Sequence, residues 1–143
     1  MAFENPSREE IKRILEQTRT IAVVGLSDKP DRTSYMVSKA MQERGYRIIP
    51  VNPASDADTI LGEKRYNSLS EVPEPIDIVN VFRRSEHCVP VAEEAVAVKA
   101  KVLWLQQGIV NEQAADIARK AGLTVVMDRC IKVEDAVTRP ARP

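Results

Sequence analysis

Small, cationic and amide-bearing residues follow each of five apolar segments in this sequence. Glycine permits close backbone approach, arginine binds anions, and an aromatic ring beside a proline offers a flat apolar surface. This mixture suits a nucleotide diphosphate better than a metal ion or an acyl substrate. The clusters, in chain order, are Gly25-Leu26-Ser27 with Arg32-Thr33-Ser34, then Asn52-Pro53, Phe82-Arg83-Arg84, Gln106-Gln107-Gly108 and Asp128-Arg129-Cys130.

The first cluster offers the clearest anion site. A helix that begins near Thr33-Ser34 would present free backbone N–H groups and the positive end of its dipole to a pyrophosphate. The standard dinucleotide fingerprint, G-x-G-x-x-G, requires glycine at three positions, but the sequence has Gly25, Ser27 and Pro30. Asn52-Pro53 also replaces the acidic residue that binds a ribose in nicotinamide enzymes. The loop therefore favours a nucleotide other than NAD.

Residues for the common kinds of catalysis are scarce. The sequence has one histidine, His87, which we interpret as a solvated surface residue, and two cysteines, Cys88 and Cys130, without a C-x-x-C motif. Neither a metal cluster nor a Ser-His-Asp set can be assembled from them. Arg129 beside Cys130 leaves a redox or thiol-exchange role open, and the alternative is a small residue at a strand end.

Alternating strand and helix patterns must position these clusters. Ser7 and Glu10 form a capping box for an N-terminal helix, predicted over residues 7–17. Strands that are apolar on both faces and alternate with helices predict an α/β fold with a doubly wound parallel sheet. Two strand orders are common, 3-2-1-4-5 and 2-1-3-4-5, and we favour the first. The five predicted strands cover residues 20–24, 48–51, 76–82, 102–105 and 123–127.

Length and charge limit the class of protein further. The 143 residues fit a single domain, predicted over 1–135, and the tail 136–143 lacks apolar periodicity and is expected to fray. The 21 basic and 21 acidic residues balance, which argues against nucleic acid as a partner. No apolar run approaches the roughly twenty residues of a membrane helix, and the N-terminus lacks a secretory h-region. We therefore expect a cytoplasmic protein with two reduced thiols.

Taken together, four segments resemble the small stand-alone CoA-binding proteins, which are similar to the CoA-binding domain of the succinyl-CoA synthetase α subunit. The resemblance covers about residues 5 to 135 and implies a three-layer Rossmann-like domain with CoA across the strand ends. The segments are IAVVGLSDKPDRTSYMVSKAM, YRIIPVNP, DIVNVFR and KVLWLQQGIVNEQAADIARKAGLTVVMDRC.

The resemblance also implies roles for the strand-end residues. Gly25-Leu26-Ser27 and Arg32-Thr33-Ser34 would hold the pyrophosphate. Judged from the residues themselves, a 3′-phosphate would need a separate cation, for which Arg32 and Arg83 are the nearest candidates and Lys29 is a reserve. Asn52-Pro53 and Phe82-Arg83 would bound the adenosine, and Gln106 with Gly108 would lie near the pantetheine arm. The phosphohistidine of the synthetase lies in a second domain, so its ligase chemistry does not transfer.

Three functions remain open at this point. The first is a non-catalytic module that binds CoA or acyl-CoA. The second is a dinucleotide- or CoA-dependent redox enzyme that uses Cys130. The third is a subunit of a larger acyl-CoA complex whose partner supplies catalysis. A homodimer or an unidentified protein partner is compatible with each of them.

Overall fold

Five parallel strands form the central sheet, in a computed structural model that describes residues 3–142. The sheet strands are β1 (Thr20–Val24), β2 (Arg47–Val51), β5 (Ile78–Val81), β6 (Val102–Leu105) and β7 (Thr124–Val126), and a short hairpin joins β3 (Thr59–Ile60) to β4 (Glu63–Lys64). The helices are α1 (Arg8–Glu16), α2 (Thr33–Glu43), α3 (Cys88–Ala97), α4 (Glu112–Lys120) and α5 (Ile131–Thr138). The α/β class and the N-terminal helix are confirmed.

The strand order in the sheet is β2-β1-β5-β6-β7. Outside β2, Tyr66 forms a single parallel bridge with Val51. When Tyr66 is counted as a rudimentary third strand, the sheet follows the 3-2-1-4-5 pattern with one more strand after it. One assignment needs correction, because the predicted third strand, residues 76–82, contains β5 and lies beside β1. Residues 52–67 are mostly polar, so the single bridge that joins Tyr66 to the central sheet left no strand pattern in the sequence.

Helices cover both faces of the sheet and give three layers. Side chains alternate along each strand, so Ala22 and Val24 of β1 enter the core beneath α3 and α4, while Ile21 and Val23 enter the core beneath α1, α2 and α5. Because both faces are buried, every residue of β5 and β6 is buried. This burial explains why β6 is a continuous apolar run, whereas β5 contains one buried polar residue, Asn80.

The C-terminal segment differs from the expected frayed tail. Residues 131–138 form α5, and Arg142 donates from Nη2 to the buried Asp135 carboxylate at 2.6 Å. The pattern was hard to read because α5 buries Glu134 and Asp135 beside a single apolar residue, Ile131. Met1, Ala2 and Pro143, which the predicted domain and tail include, lie outside the described residues. Between residues 3 and 142, no helix has the length and apolar character needed to cross a membrane.

Asp135 anchors α5 to the start of β2. Its side chain is fully buried and accepts hydrogen bonds from Tyr46 Oη at 2.7 Å and from Arg44 Nη1 at 3.0 Å. Burial, followed by the hydrogen bond to Asp135, raises the pKa of Tyr46 above its ordinary value. The phenol must therefore stay protonated for this contact to stabilise the fold.

We expect Tyr46→Phe to lower the free energy of unfolding by about 1.5 kcal/mol at neutral pH, because a hydrogen bond to a charged group is lost. The raised pKa favours the protonated phenol in the folded state, so its stabilisation is complete below pH about 10 and is lost as pH rises further. Denaturant titrations at pH 7 and pH 11 should show that the difference in free energy of unfolding between the parent and Tyr46→Phe is smaller at the higher pH. Tyr35→Phe is the control, since the Tyr35 hydroxyl bonds to no described residue. The same difference at both pH values would contradict the role of the protonated Tyr46 phenol.

Candidate functional site

The carboxyl ends of β1, β2 and β5 meet at one edge of the sheet. Gly25 N donates to Val51 O at 2.8 Å, and Phe82 N donates to Val24 O at 2.8 Å. These bonds continue the ladder beyond the strands and place the loops after β1, β2 and β5 side by side. Three of the predicted clusters are thereby brought together.

A cavity of about 360 Å³, here called the α2 cavity, opens between the end of β1 and the start of α2. All of its lining residues are among the predicted site residues: Gly25, Ser27, Arg32, Thr33, Ser34 and Phe82. The structure therefore brings six of the predicted site residues together around one cavity.

The N-terminus of α2 is suited to an anion. Its N-cap residue, Arg32, has extended backbone and makes no capping hydrogen bond through its side chain. The backbone N–H groups of Thr33, Ser34 and Tyr35 donate to no group of the described chain. Ser34 Oγ accepts from Ser27 N at 3.0 Å, which holds the loop against the helix. Free N–H groups, the helix dipole and the Arg32 charge together favour a phosphate or carboxylate here.

Gly25 is required by the fold itself. Its φ is +90°, and a Cβ at this position would lie 2.4 Å from Phe82 O. Any larger residue would push apart the loops after β1 and β5. Gly25 therefore permits the close backbone packing that brings these two loops together beside the α2 cavity.

A second cavity of about 410 Å³, here called the α3 cavity, lies across the end of β1 on the other face of the sheet. Arg83 is half-buried there, and its Nε atom is buried without a hydrogen-bond partner in the described chain. A buried donor without a partner is destabilising, so this guanidinium is suited to an acceptor supplied by a ligand. The lining is Val24, Val51, Pro53, Asn67, Ser68, Arg83, His87, Pro90, Val91 and Glu94.

Pro53 and Arg83 of this lining were predicted as site residues from the sequence. Its other polar residues, Asn67, Ser68, His87 and Glu94, were not. His87, interpreted as a solvated surface residue, is exposed but contributes to the cavity wall. Its place just before α3, directly after the strand-end cluster at 82–84, is the signal that places it there. Asn67 and Ser68 reach the cavity through the loop after β4, for which the sequence offered no strand pattern.

Leu26 and Asn52 shape the loops and do not line either cavity. Leu26 is completely buried, and Asn52 Nδ2 donates to its carbonyl at 2.9 Å. Asn52 Oδ1 also accepts from Ala54 N at 3.0 Å. The amide therefore locks the loop after β2 to the loop after β1.

Gln106 and Gly108 lie farther along the sheet edge. Gln106 is buried, and its Oε1 atom accepts from Asn80 Nδ2 and Ile131 N, both at 3.3 Å. Gly108 N donates to Asp128 Oδ1 at 2.7 Å. Neither residue lines the α2 or α3 cavity, and the Gln106 side chain is engaged in internal hydrogen bonds that tie β6 to α5.

The two cysteines are both free in the structure and differ in environment. Cys88 is buried, and this burial raises the pKa of its thiol to about 11. Cys130 is half-buried at the N-cap of α5. Because the thiolate is the reactive form, the two should differ strongly in reactivity while the chain is folded.

We expect thiol titration at pH 8 to show one group, Cys130, reacting well before the other in the folded protein. Cys88 should react only as the chain unfolds, since its thiol is buried and protonated at that pH. Denaturing, non-reducing conditions should give two thiols per chain. The Cys130→Ser variant, which should lose the fast phase alone, identifies the residue. Loss of the slow phase instead would contradict the assignment.

The chain matches a protein family and is similar to a bacterial protein and to a solved structure. The profile of a family described as a CoA binding domain matches residues 19–136. The uncharacterized protein YneT of Bacillus subtilis is 60% identical over 137 residues, which cover 96% of this chain and 100% of that protein. A solved structure from Thermus thermophilus, cell-free ID.343, is 34% identical with a TM-score of 0.89, covering 93% of this chain and 99% of that one.

A larger protein also matches. The ADP-forming 4-hydroxybutyrate–CoA ligase of Nitrosopumilus maritimus is 30% identical over 127 residues, which cover 80% of this chain. The matched part is 18% of the ligase. The similarity therefore concerns one segment of that enzyme.

Proposed function

Because this chain belongs to the CoA-binding domain family, we propose that it binds coenzyme A or an acyl-CoA across the carboxyl ends of β1, β2 and β5. The observation that carries the proposal is the uncapped N-terminus of α2, which faces a cavity beside Arg32. The pyrophosphate of CoA would accept from the free N–H groups of Thr33 and Ser34. Ser27 and Arg32 would add a hydroxyl and a charge.

The adenosine end of CoA would occupy the α3 cavity. Pro53, Val24 and Val51 offer apolar surface for the base, and Arg83 offers a donor for the 3′-phosphate. The two cavities share the end of β1, since Val24 lines one and Gly25 the other. One ligand can therefore extend from the pyrophosphate site to the adenosine site. The pantetheine arm would leave along the edge toward Gln106 and Gly108.

In this proposal the chain is a cytoplasmic binding module that holds CoA without catalysing a reaction on its own. The residues that line the two cavities bind and orient the ligand. The Cys130 thiol lies outside both cavities. Its part in thiol exchange with CoA would therefore require the pantetheine arm to reach the start of α5.

Calorimetric titration with CoA and with NAD tests the proposal. We expect CoA to bind and NAD to bind far more weakly, because the second glycine and the ribose-binding acid of the NAD fingerprint are absent. CoA at about 100 times its Kd should stabilise the fold by about 2.7 kcal/mol, which a thermal melt detects. Equal affinities for the two ligands would contradict the proposal.

The match to part of a CoA ligase favours a second candidate, a subunit that presents CoA to a separate catalytic protein. Affinity capture of the tagged chain from its own cell extract tests this candidate. A stoichiometric partner that carries a ligase-type catalytic domain would support it. Recovery of the chain alone, with CoA bound, would favour the stand-alone module.

A further inference from the structure

Arg65 lies just behind the wall of the α3 cavity and organises the loop that follows β2. Its Nε atom donates to Ala57 O at 2.6 Å, and its Nη1 atom donates to Asn52 O at 3.0 Å. The same Nη1 atom donates to Asn67 Oδ1 at 2.7 Å. One side chain thus joins the end of β2, the β3 approach and the cavity wall.

The charge of Arg65 is used differently from that of the arginines that form ion pairs in this fold. Arg47, on β2, pairs with the carboxylates of Glu63 and Glu74. Arg65 pairs with no carboxylate of the described chain, and its acceptors there are two carbonyls and one side-chain amide. A hydrogen bond from a charged donor is stronger than a neutral one, so this guanidinium can fix the orientation of that amide.

The orientation of Asn67 follows from the donors around it. A guanidinium has no acceptor, so the Asn67 oxygen must face Arg65 and the NH2 group must face elsewhere. The backbone of Asn67 is held as well, because its N–H donates to Glu71 Oε1 at 2.9 Å. The Asn67 NH2 group donates to no other described residue, and the residue lines the α3 cavity.

We propose that Arg65 is a positioning residue of the α3 cavity: it holds the Asn67 amide with its NH2 group available, so that the cavity selects a ligand carrying a hydrogen-bond acceptor. The ring nitrogens of adenine are acceptors of this kind. The inference rests on the proposed CoA function and assigns the adenosine end of that ligand to this contact. Arg65 acts through Asn67 and does not touch the ligand itself.

Two fragments of CoA separate this role from general support of the fold. Adenosine 3′,5′-bisphosphate carries the base, and 4′-phosphopantetheine lacks it. We expect Arg65→Met and Asn67→Ala each to lower the affinity for the bisphosphate about tenfold, because each variant loses one oriented hydrogen bond. Both variants should bind phosphopantetheine like the parent. The double variant should lose about tenfold rather than about a hundredfold, because both changes remove the same contact.

Matched variants complete the calorimetric test. Arg65→Lys, which keeps a charged donor, should recover part of the affinity, and Arg47→Met, which removes an arginine from outside both cavities, should leave it unchanged. Three results would overturn the inference if the parent protein binds CoA. The first is an Arg65→Met variant that binds the bisphosphate with parental affinity. The others are a double variant whose loss of affinity is the product of the two single losses, and equal losses of affinity for both fragments. A parent protein that binds no CoA overturns the proposed function and this inference together.

A second variant provides the test if Arg65→Met does not fold. Asn67→Asp keeps an oxygen for Arg65 to bind and removes the NH2 group, so it tests the amide orientation in an otherwise intact loop. Circular dichroism and the melting temperature establish that this variant is folded. It should bind the bisphosphate at least about tenfold more weakly and phosphopantetheine normally. Unchanged bisphosphate affinity would overturn the inference.

Discussion

Gly25→Ala is expected to lower the free energy of unfolding by about 3–5 kcal/mol, the largest effect of any single substitution at the site. The new Cβ would lie 2.4 Å from Phe82 O, and the residue would keep a φ near +90° that alanine rarely adopts. Strain of the backbone and overpacking each contribute about 1–3 kcal/mol. Since the clash is with backbone, relief requires that the loops after β1 and β5 separate.

Gly45→Ala is the matched control for this substitution. Gly45 also has a positive φ, +102°, but a Cβ there would meet no atom of the described chain within 4 Å. Only the conformational penalty remains, which is about 1 kcal/mol. Urea titrations of the two variants measure the difference directly. Equal losses of stability would show that close packing against Phe82 does not determine the geometry of this edge.

Arg83→Ala and Arg32→Ala are each expected to lower the affinity for CoA by about 10- to 150-fold. A charge-assisted hydrogen bond contributes about 1.5–3 kcal/mol to binding. Because the basic and acidic residues of the chain balance, local donors must supply the attraction for the phosphates of CoA. Arg83→Ala should also narrow the difference in affinity between CoA and dephospho-CoA, because Arg83 is assigned to the 3′-phosphate. Calorimetry at two salt concentrations measures both effects, since exposed phosphate contacts weaken as salt rises.

Stability should be affected less than binding in these two variants. Neither arginine forms an ion pair with a carboxylate of the described chain, and the buried Nε atom of Arg83 has no partner to lose there. Arg13→Ala, on the exposed face of α1, is the control and should bind CoA like the parent. If the Arg32 and Arg83 variants do so too, CoA does not lie across these strand ends.

The sequence predicted most of the sheet because its strands are buried on both faces. Continuous apolar runs such as those at β1 and β6 are distinctive. Ser7, predicted as the cap of the N-terminal helix, likewise accepts a hydrogen bond from Glu10 N at the start of α1. The rudimentary third strand left no such pattern. Tyr66 contributes one bridge within a polar loop, so only the three-dimensional pairing identifies it.

The candidate site was predictable where one loop carries it, and less so where distant segments meet. The α2 cavity is built mainly from residues 25–34, whose neighbours in sequence are neighbours in space. The α3 cavity combines the ends of β1 and β2 with the segments after β2, β4 and β5 and with α3. Gln106 illustrates the remaining limit, because its position at a strand end does not reveal that its amide is buried against Asn80.

Backbone-amide NMR of the ¹⁵N-labelled protein during addition of CoA tests the central claim most directly. If the pyrophosphate accepts from the start of α2, the amide signals of Thr33, Ser34 and Tyr35 should shift most, together with those of Ser27 and Arg83. A cavity of about 330 Å³ near Gly45 and Tyr46, at the opposite end of the sheet, offers an internal comparison. Shifts confined to that end, with the start of α2 unchanged, would contradict the account.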